Sequence, residues 1–220
     1  MTAYAFFDVD ETLIHPKSMF DFLRFWYERR QQPDEYARQM YLIQQQVCSG
    51  ADRAQVNRFY YRQFAGLPFV ELMVAGLDWF NERLASGKLF KPGIVERLGQ
   101  LRQQGIEPVL VSGSMLPVLM PIARKLGAQG VLCAEQESHA GLLTGELTAS
   151  AIGSAKRERL QAFLAERGAD ARQCHAFGDH ISDLPMLEAV AYPTAVDPCP
   201  ELATIARQRG WPILITHTDT

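Results

Sequence analysis

Ala3, Tyr4, Ala5, Phe6 and Phe7 form an unbroken apolar run that stops at Asp8, Asp10 and Glu11. A strand with one wet face alternates apolar with polar residues. A short continuous run therefore implies a strand covered on both faces, as in the parallel sheets of α/β proteins. Its acids then lie at the strand's carboxyl end, where loops converge and ligands bind in open α/β sheets. Two aspartates spaced i, i+2 on extended backbone point to one side unless the loop re-aims them. Taken alone, they read more readily as turn formers or helix caps than as a reaction centre.

The chain that follows alternates in character. At 220 residues it has room for one domain with an inserted subdomain. Ser18 followed by Asp21 predicts a capping box opening a helix through Phe22, Leu23, Trp26 and Tyr27. Further helices fit residues 34–48, 52–64 and 68–86, each bounded by Gly, Pro or a capping acid. The aromatic residues crowd into this region, as expected of a small helical unit that fills little interior with large side chains; an aromatic-lined pocket is the second reading. Beyond Lys91-Pro92-Gly93 the pattern predicts helices over 94–104, 115–126, 154–167, 183–189 and 200–208. It predicts strands over 107–111, 130–134, 173–178, 191–196 and 212–215, and a β-hairpin with a glycine-containing turn within 141–148. The expected class is α/β: a Rossmann-like, mostly parallel sheet with helices on both faces, plus an inserted all-helical cap. Residues 1–15 and 89–220 form the expected core and residues 16–88 the cap.

A net charge of -3 and a pI near 6.0 give no basic excess, so no nucleic-acid partner is expected. No apolar stretch approaches a membrane span and the first residues lack a leader pattern; no membrane partner and a cytoplasmic residence are the expectations. Cys48, Cys133, Cys174 and Cys199 are scattered without metal-ligand spacing, which favours reduced packing thiols. A monomer and a homodimer are both open.

Polar residues punctuate the predicted strand ends: Asp8 and Asp10, then Ser112, then Asp179, with Lys156 at the start of a helix. In this order they resemble the motifs of the haloacid dehalogenase-like phosphohydrolases, specifically the branch similar to phosphoserine phosphatase with a helical cap after the first strand. The first motif stands as Asp8-Val9-Asp10-Glu11-Thr12, the second as Val109-Leu110-Val111-Ser112-Gly113-Ser114, the third as Lys156 in Gly153-Ser154-Ala155-Lys156, and the fourth as Gly178-Asp179-His180-Ile181-Ser182-Asp183. The resemblance implies a phosphomonoester phosphatase acting on a small phosphorylated metabolite. Asp8 would be the nucleophile and Asp10 the proton shuttle. Ser112, Gly113 and Lys156 would hold the phosphoryl oxygens, and Asp8, Asp10, Asp179 and Asp183 would bind Mg²⁺, Asp10 through its backbone carbonyl.

Elementary chemistry agrees with these roles. A carboxylate nucleophile divides a slow hydrolysis into two easier steps, and a proton-holding neighbour assists both. Crowded carboxylates with hard oxygen donors repel a phosphate dianion unless a cation such as Mg²⁺ offsets them. Lys17 falls where phosphoserine-type relatives carry an ammonium-binding glutamate, which points to a substrate with a second anionic group or an apolar portion instead of phosphoserine. Arg58 and Arg62 are further candidate cations, with surface solvation the plainer role for each. Glu11 departs from the small residue usual at its place, and His180 reads as a rim residue. Phosphoserine phosphatase proper and a phosphotransferase or phosphomutase remain alternatives. A receiver-like signalling domain would lack the second acid and the cap, and a phospho-binding module would need neither Asp8 nor Asp10.

Overall fold

The protein is described here by a computed structural model covering residues 2–216. Seven strands form one sheet in the order β4-β3-β2-β1-β5-β6-β7. They are β1 (Tyr4–Phe7), β2 (Glu107–Met115), β3 (Gly130–His139), β4 (Leu142–Ala149), β5 (His175–Gly178), β6 (Tyr192–Val196) and β7 (Ile213–Leu214). Every pairing is parallel except β3 with β4. The opening run is the central strand, with Phe6 paired to Val109 on one side and Ala176 on the other.

Alternation along β1 serves two cores at once. Ala5 and Phe7 face one apolar cluster, Tyr4 and Phe6 the other. Phe7 stacks on Phe177 at 4.5 Å, whereas Phe6 meets Phe163 edge-on at 5.7 Å. Burial of each ring contributes about 1.5–3 kcal/mol, and neither face tolerates a polar residue. That is why the strand reads as a continuous apolar run.

Helices α1 (Ser18–Arg29), α2 (Pro33–Cys48), α3 (Arg53–Tyr61) and α4 (Phe69–Ala85) follow β1 and make the helical cap. The core helices are α5 (Pro92–Gln103), α6 (Leu116–Leu126), α7 (Ser154–Arg167), α8 (Leu184–Leu187) and α9 (Pro200–Gln208). Among the described residues no helix is long and apolar enough to cross a membrane.

Three local expectations need correction. Ser18 is not a cap: α1 starts at Ser18 itself, its N-cap Lys17 makes no side-chain capping bond, and the buried Ser18 hydroxyl donates to Ser114 Oγ at 2.9 Å. Asp21 instead accepts from Trp79 Nε1 at 2.8 Å and pairs with Arg83. Residues 141–148 are not a hairpin by themselves: the turn lies at Ala140 and Gly141, and residues 142–148 are its second strand, β4, paired antiparallel with β3. Gly145 makes no turn there, but with φ +88° it lets the strand approach the cap, where an added Cβ would stand 3.2 Å from Arg62 Cα. Finally, β2 runs on through Ser112, Gly113 and Ser114 to Met115, with an irregular register beyond Ser112.

The β3–β4 ribbon fastens the cap. Gly66 N–H donates to Leu143 O at 2.8 Å and Leu143 N–H to Leu67 O at 2.9 Å. On the other flank α4 lies so close to α6 that a Cβ on Gly76 would stand 2.1 Å from the Pro117 carbonyl oxygen.

Candidate active site

The carboxyl ends of β1, β2 and β5 meet at one edge of the sheet. Asp8 follows β1 directly, and its N–H donates to Phe177 O at 2.9 Å, so the ladder carries Asp8 alongside Gly178 and Asp179. Gly178 is obligatory here, since a Cβ would stand 2.6 Å from Asp183 Cβ. Asp183 turns back over it and accepts from the N–H groups of Asp179 and His180 at 3.2 and 3.0 Å. Lys156, in the first turn of α7, reaches the same point. Its buried Nζ hydrogen-bonds Asp8 Oδ1 and, at 2.6 Å, Asp183 Oδ1. Thr12 donates to Asp179 Oδ1 at 2.7 Å.

Charge is unbalanced in this cluster. Oxygens of Asp8, Asp179 and Asp183 lie within 4.8 Å of one another, with one ammonium among them. Burial pushes the Asp8 carboxyl well above the carboxylate range, reinforced by Asp183 and Asp179 against the pull of Lys156. Burial and Asp183 raise Asp179 to about 6 despite the Thr12 bond. Burial works against the Lys156 charge, but Asp183 and Asp8 outweigh it and raise its pKa. The donor set consists of hard oxygens short of positive charge, which fits a divalent cation of the Mg²⁺ kind.

Asp10 stands apart electrostatically. Burial, with a contribution from Asp8, lifts its carboxyl to about 7 although bonds to Ser18 pull it down. Its Oδ1 is buried without a hydrogen-bond partner. Ser112, buried on β2, accepts from Ser114 N–H at 3.1 Å through Oγ, so it is not a cap of the following helix. The Gly113 carbonyl is held from the cap by Asn57 Nδ2 and Tyr61 OH, each at 2.9 Å.

These groups line one cavity of about 370 Å³ between core and cap. It takes in Asp8, Asp10, Ser112, Gly113, Lys156, Asp179 and Asp183, together with Lys17 and His180. Lys17 pairs with Glu11 at 3.2 Å, both about half exposed. His180 is a wall residue whose Nδ1 accepts from Ser182 N–H at 3.1 Å. Arg58 and Arg62 lie elsewhere: they border a separate surface depression, and Arg62 pairs with Glu146. Besides Lys17, Arg53 on α3 lines the cavity, accompanied by Val56, Asn57 and Tyr60. Sequence reasoning passed over it, although positions 53, 56, 57 and 60 trace one helical face.

The chain matches the family model described as haloacid dehalogenase-like hydrolase over residues 5–188. It is 31% identical over 228 residues to the inhibition of morphological differentiation protein of Streptomyces azureus, covering 97% of this chain and 78% of that one. To phosphoserine phosphatase SerB1 of Mycobacterium tuberculosis (strain ATCC 25618 / H37Rv) it is 29% identical over 220 residues, covering 97% and 70%. A solved structure of a Bordetella pertussis Tohama I protein with unknown function superposes with a TM-score of 0.87 at 26% identity, covering 99% of this chain and all of that one.

Proposed function

The chain belongs to the haloacid dehalogenase-like hydrolases, as an enzyme of their phosphatase type, and from that premise we propose a Mg²⁺-dependent hydrolysis of a small phosphomonoester through an aspartyl phosphate on Asp8. The observation that carries this reading is the buried meeting of Asp8, Asp179, Asp183 and Lys156 at the floor of a cavity that also holds Asp10 and Ser112.

In the first step an Asp8 carboxylate oxygen attacks phosphorus, the ester P–O bond breaks, and Asp10 gives its proton to the departing oxygen. In the second, water attacks phosphorus, Asp10 takes the proton, and the bond from phosphorus to Asp8 breaks. A carboxyl lifted to about 7 is suited to both transfers near neutral pH. Lys156 and Ser112 hold the phosphoryl oxygens while charge shifts among them. Asp8, Asp179 and Asp183, with the Asp10 carbonyl, would hold Mg²⁺, which when bound offsets the anionic charge of substrate and carboxylates. With p-nitrophenyl phosphate, Mg²⁺-dependent phosphate release is expected, abolished by EDTA and restored by excess Mg²⁺. Turnover indifferent to EDTA would contradict the reading.

For the substrate, Lys17 and Arg53 favour a phosphomonoester with a second anionic group. Met19, Phe20, Val56 and Ile152 in the same cavity leave room for an apolar portion. Arg53→Ala and Lys17→Glu are each expected to raise KM for such a doubly anionic substrate roughly tenfold, the scale of one lost charge-assisted contact, and to affect p-nitrophenyl phosphate less. A metabolite panel in which phosphoserine ranks first would refute this specificity.

A further inference from the structure

Glu11 and Asp197 share a feature that their distance in sequence hides. Their φ angles are 60° and 40°, in the left-handed region that L residues enter uncommonly and under strain. One buried side chain links the two. Lys91, 4% exposed, donates from Nζ to the Glu11 carbonyl and, at 2.8 Å, to Asp197 Oδ2. Asp197 is itself tied down, with Oδ1 accepting from Thr216 N–H at 2.8 Å. The Lys91 N–H also donates to Leu13 O at 3.0 Å, so main chain and side chain of this one residue both grip the loop that follows β1.

We propose that Lys91, buttressed by Asp197, is a positioning residue for catalysis: it anchors the Glu11 carbonyl, keeps Glu11 left-handed, and thereby sets where Asp10 stands relative to Asp8. The link is covalent geometry. The peptide joining Asp10 to Glu11 is planar, so rotation about the Glu11 N–Cα bond turns that whole plane and Asp10 with it. With the anchor removed, an L residue relaxes toward negative φ and swings Asp10 away from the leaving oxygen. Glu11 thereby acquires a physical account: what matters at this position is the conformation of its main chain, and its side chain is left to pair with Lys17 at the cavity mouth. The inference rests on the phosphatase reading for its catalytic consequence, though not for the anchoring itself.

The experiment is a double-mutant cycle of Lys91→Met with Glu11→Gly, followed by steady-state kinetics on p-nitrophenyl phosphate and by amide hydrogen exchange of residues 8–12. Lys91→Met alone is expected to lower kcat on the order of 10²-fold, the cost of small misplacement of a reacting group, with KM changed less than about threefold. Glycine adopts positive φ without strain. In the Glu11→Gly background the same change should therefore cost kcat no more than about tenfold. Exchange in residues 8–12 should quicken at least about tenfold in Lys91→Met. Equal kcat losses in both backgrounds, or unchanged exchange, would overturn the proposal. Should Lys91→Met fail to fold, Lys91→Gln with Asp197→Asn removes both buried charges together, and the same cycle applies. Wild-type protein without turnover would overturn the phosphatase reading alone, because exchange reports the anchor with no substrate present.

Discussion

Asn in place of Asp8 is expected to lower kcat by on the order of 10⁴-fold or more, the scale on which a single nucleophile counts in hydrolases, while leaving the protein folded and no less resistant to heat. The amide oxygen keeps the shape of the carboxylate but cannot form a hydrolysable acyl phosphate. Acid-quenched enzyme should accordingly carry hydroxylamine-sensitive phosphate in the wild type and none in the variant. Stability moves the other way. Asp8 sits buried beside Asp183 and Asp179, its ionised form disfavoured by burial and by those neighbours. Removing it relieves part of that repulsion, and Lys156 keeps Asp183 at 2.6 Å. A melting temperature equal to or above the wild type is therefore expected, as where active-site strain is traded for activity. Phosphate release above about 1% of wild type would overturn Asp8 as nucleophile, and a much lower melting temperature would overturn the relief of repulsion.

Much of this arrangement is legible in the sequence. The opening run reads as a doubly covered strand because both faces of β1 are packed, and the alternation after residue 92 reads as a parallel sheet because each helix covers it in turn. Strand ends also told where polar side chains gather: Asp8, Ser112, Asp179 and Asp183 meet at one cavity.

Most misreadings have one cause, a partner distant in sequence. Ser18 and Asp21 have the spacing of a capping box, but tertiary contacts claimed both, Ser18 by Ser114 and Asp21 by Arg83 and Trp79. Gly145 carries the signal of a turn, yet it serves close approach of β4 to the cap. Arg58 and Arg62 stand out in the sequence as cations, but Arg58, on α3, and Arg62, just past its end, border a separate depression; helical phase counted back from Tyr60 selects Arg53. Lys91 gave no local hint at all, since its carbonyl partner and its acid lie 80 and 106 residues away.

Lys156→Met is the variant expected to damage both activity and stability. The ammonium is the sole cation hydrogen-bonded to Asp8 and Asp183 among the described residues, and its neighbours hold it charged. Met preserves most of the apolar stem while deleting the charge, so three carboxylates are left crowded and uncompensated. Removing one member of a buried ion pair typically costs about 3–5 kcal/mol, here a fall in melting temperature of roughly 10 °C for a chain of this size. Loss of a group that stabilises phosphoryl charge should lower kcat by about 10²- to 10³-fold. Two controls separate these effects. Mg²⁺ should raise the melting temperature of Lys156→Met more than that of the wild type, because a divalent cation at the same carboxylates substitutes for part of the missing charge. Adding Asp183→Asn to Lys156→Met should recover stability without recovering kcat, since it lowers the carboxylate repulsion but supplies no cation for the substrate. Calorimetry and phosphate release on the wild type and the two variants test both. A Lys156→Met protein as stable as wild type in EDTA would mean that the carboxylates are already neutralised by protons, and the case for a divalent cation at this site would fall with it.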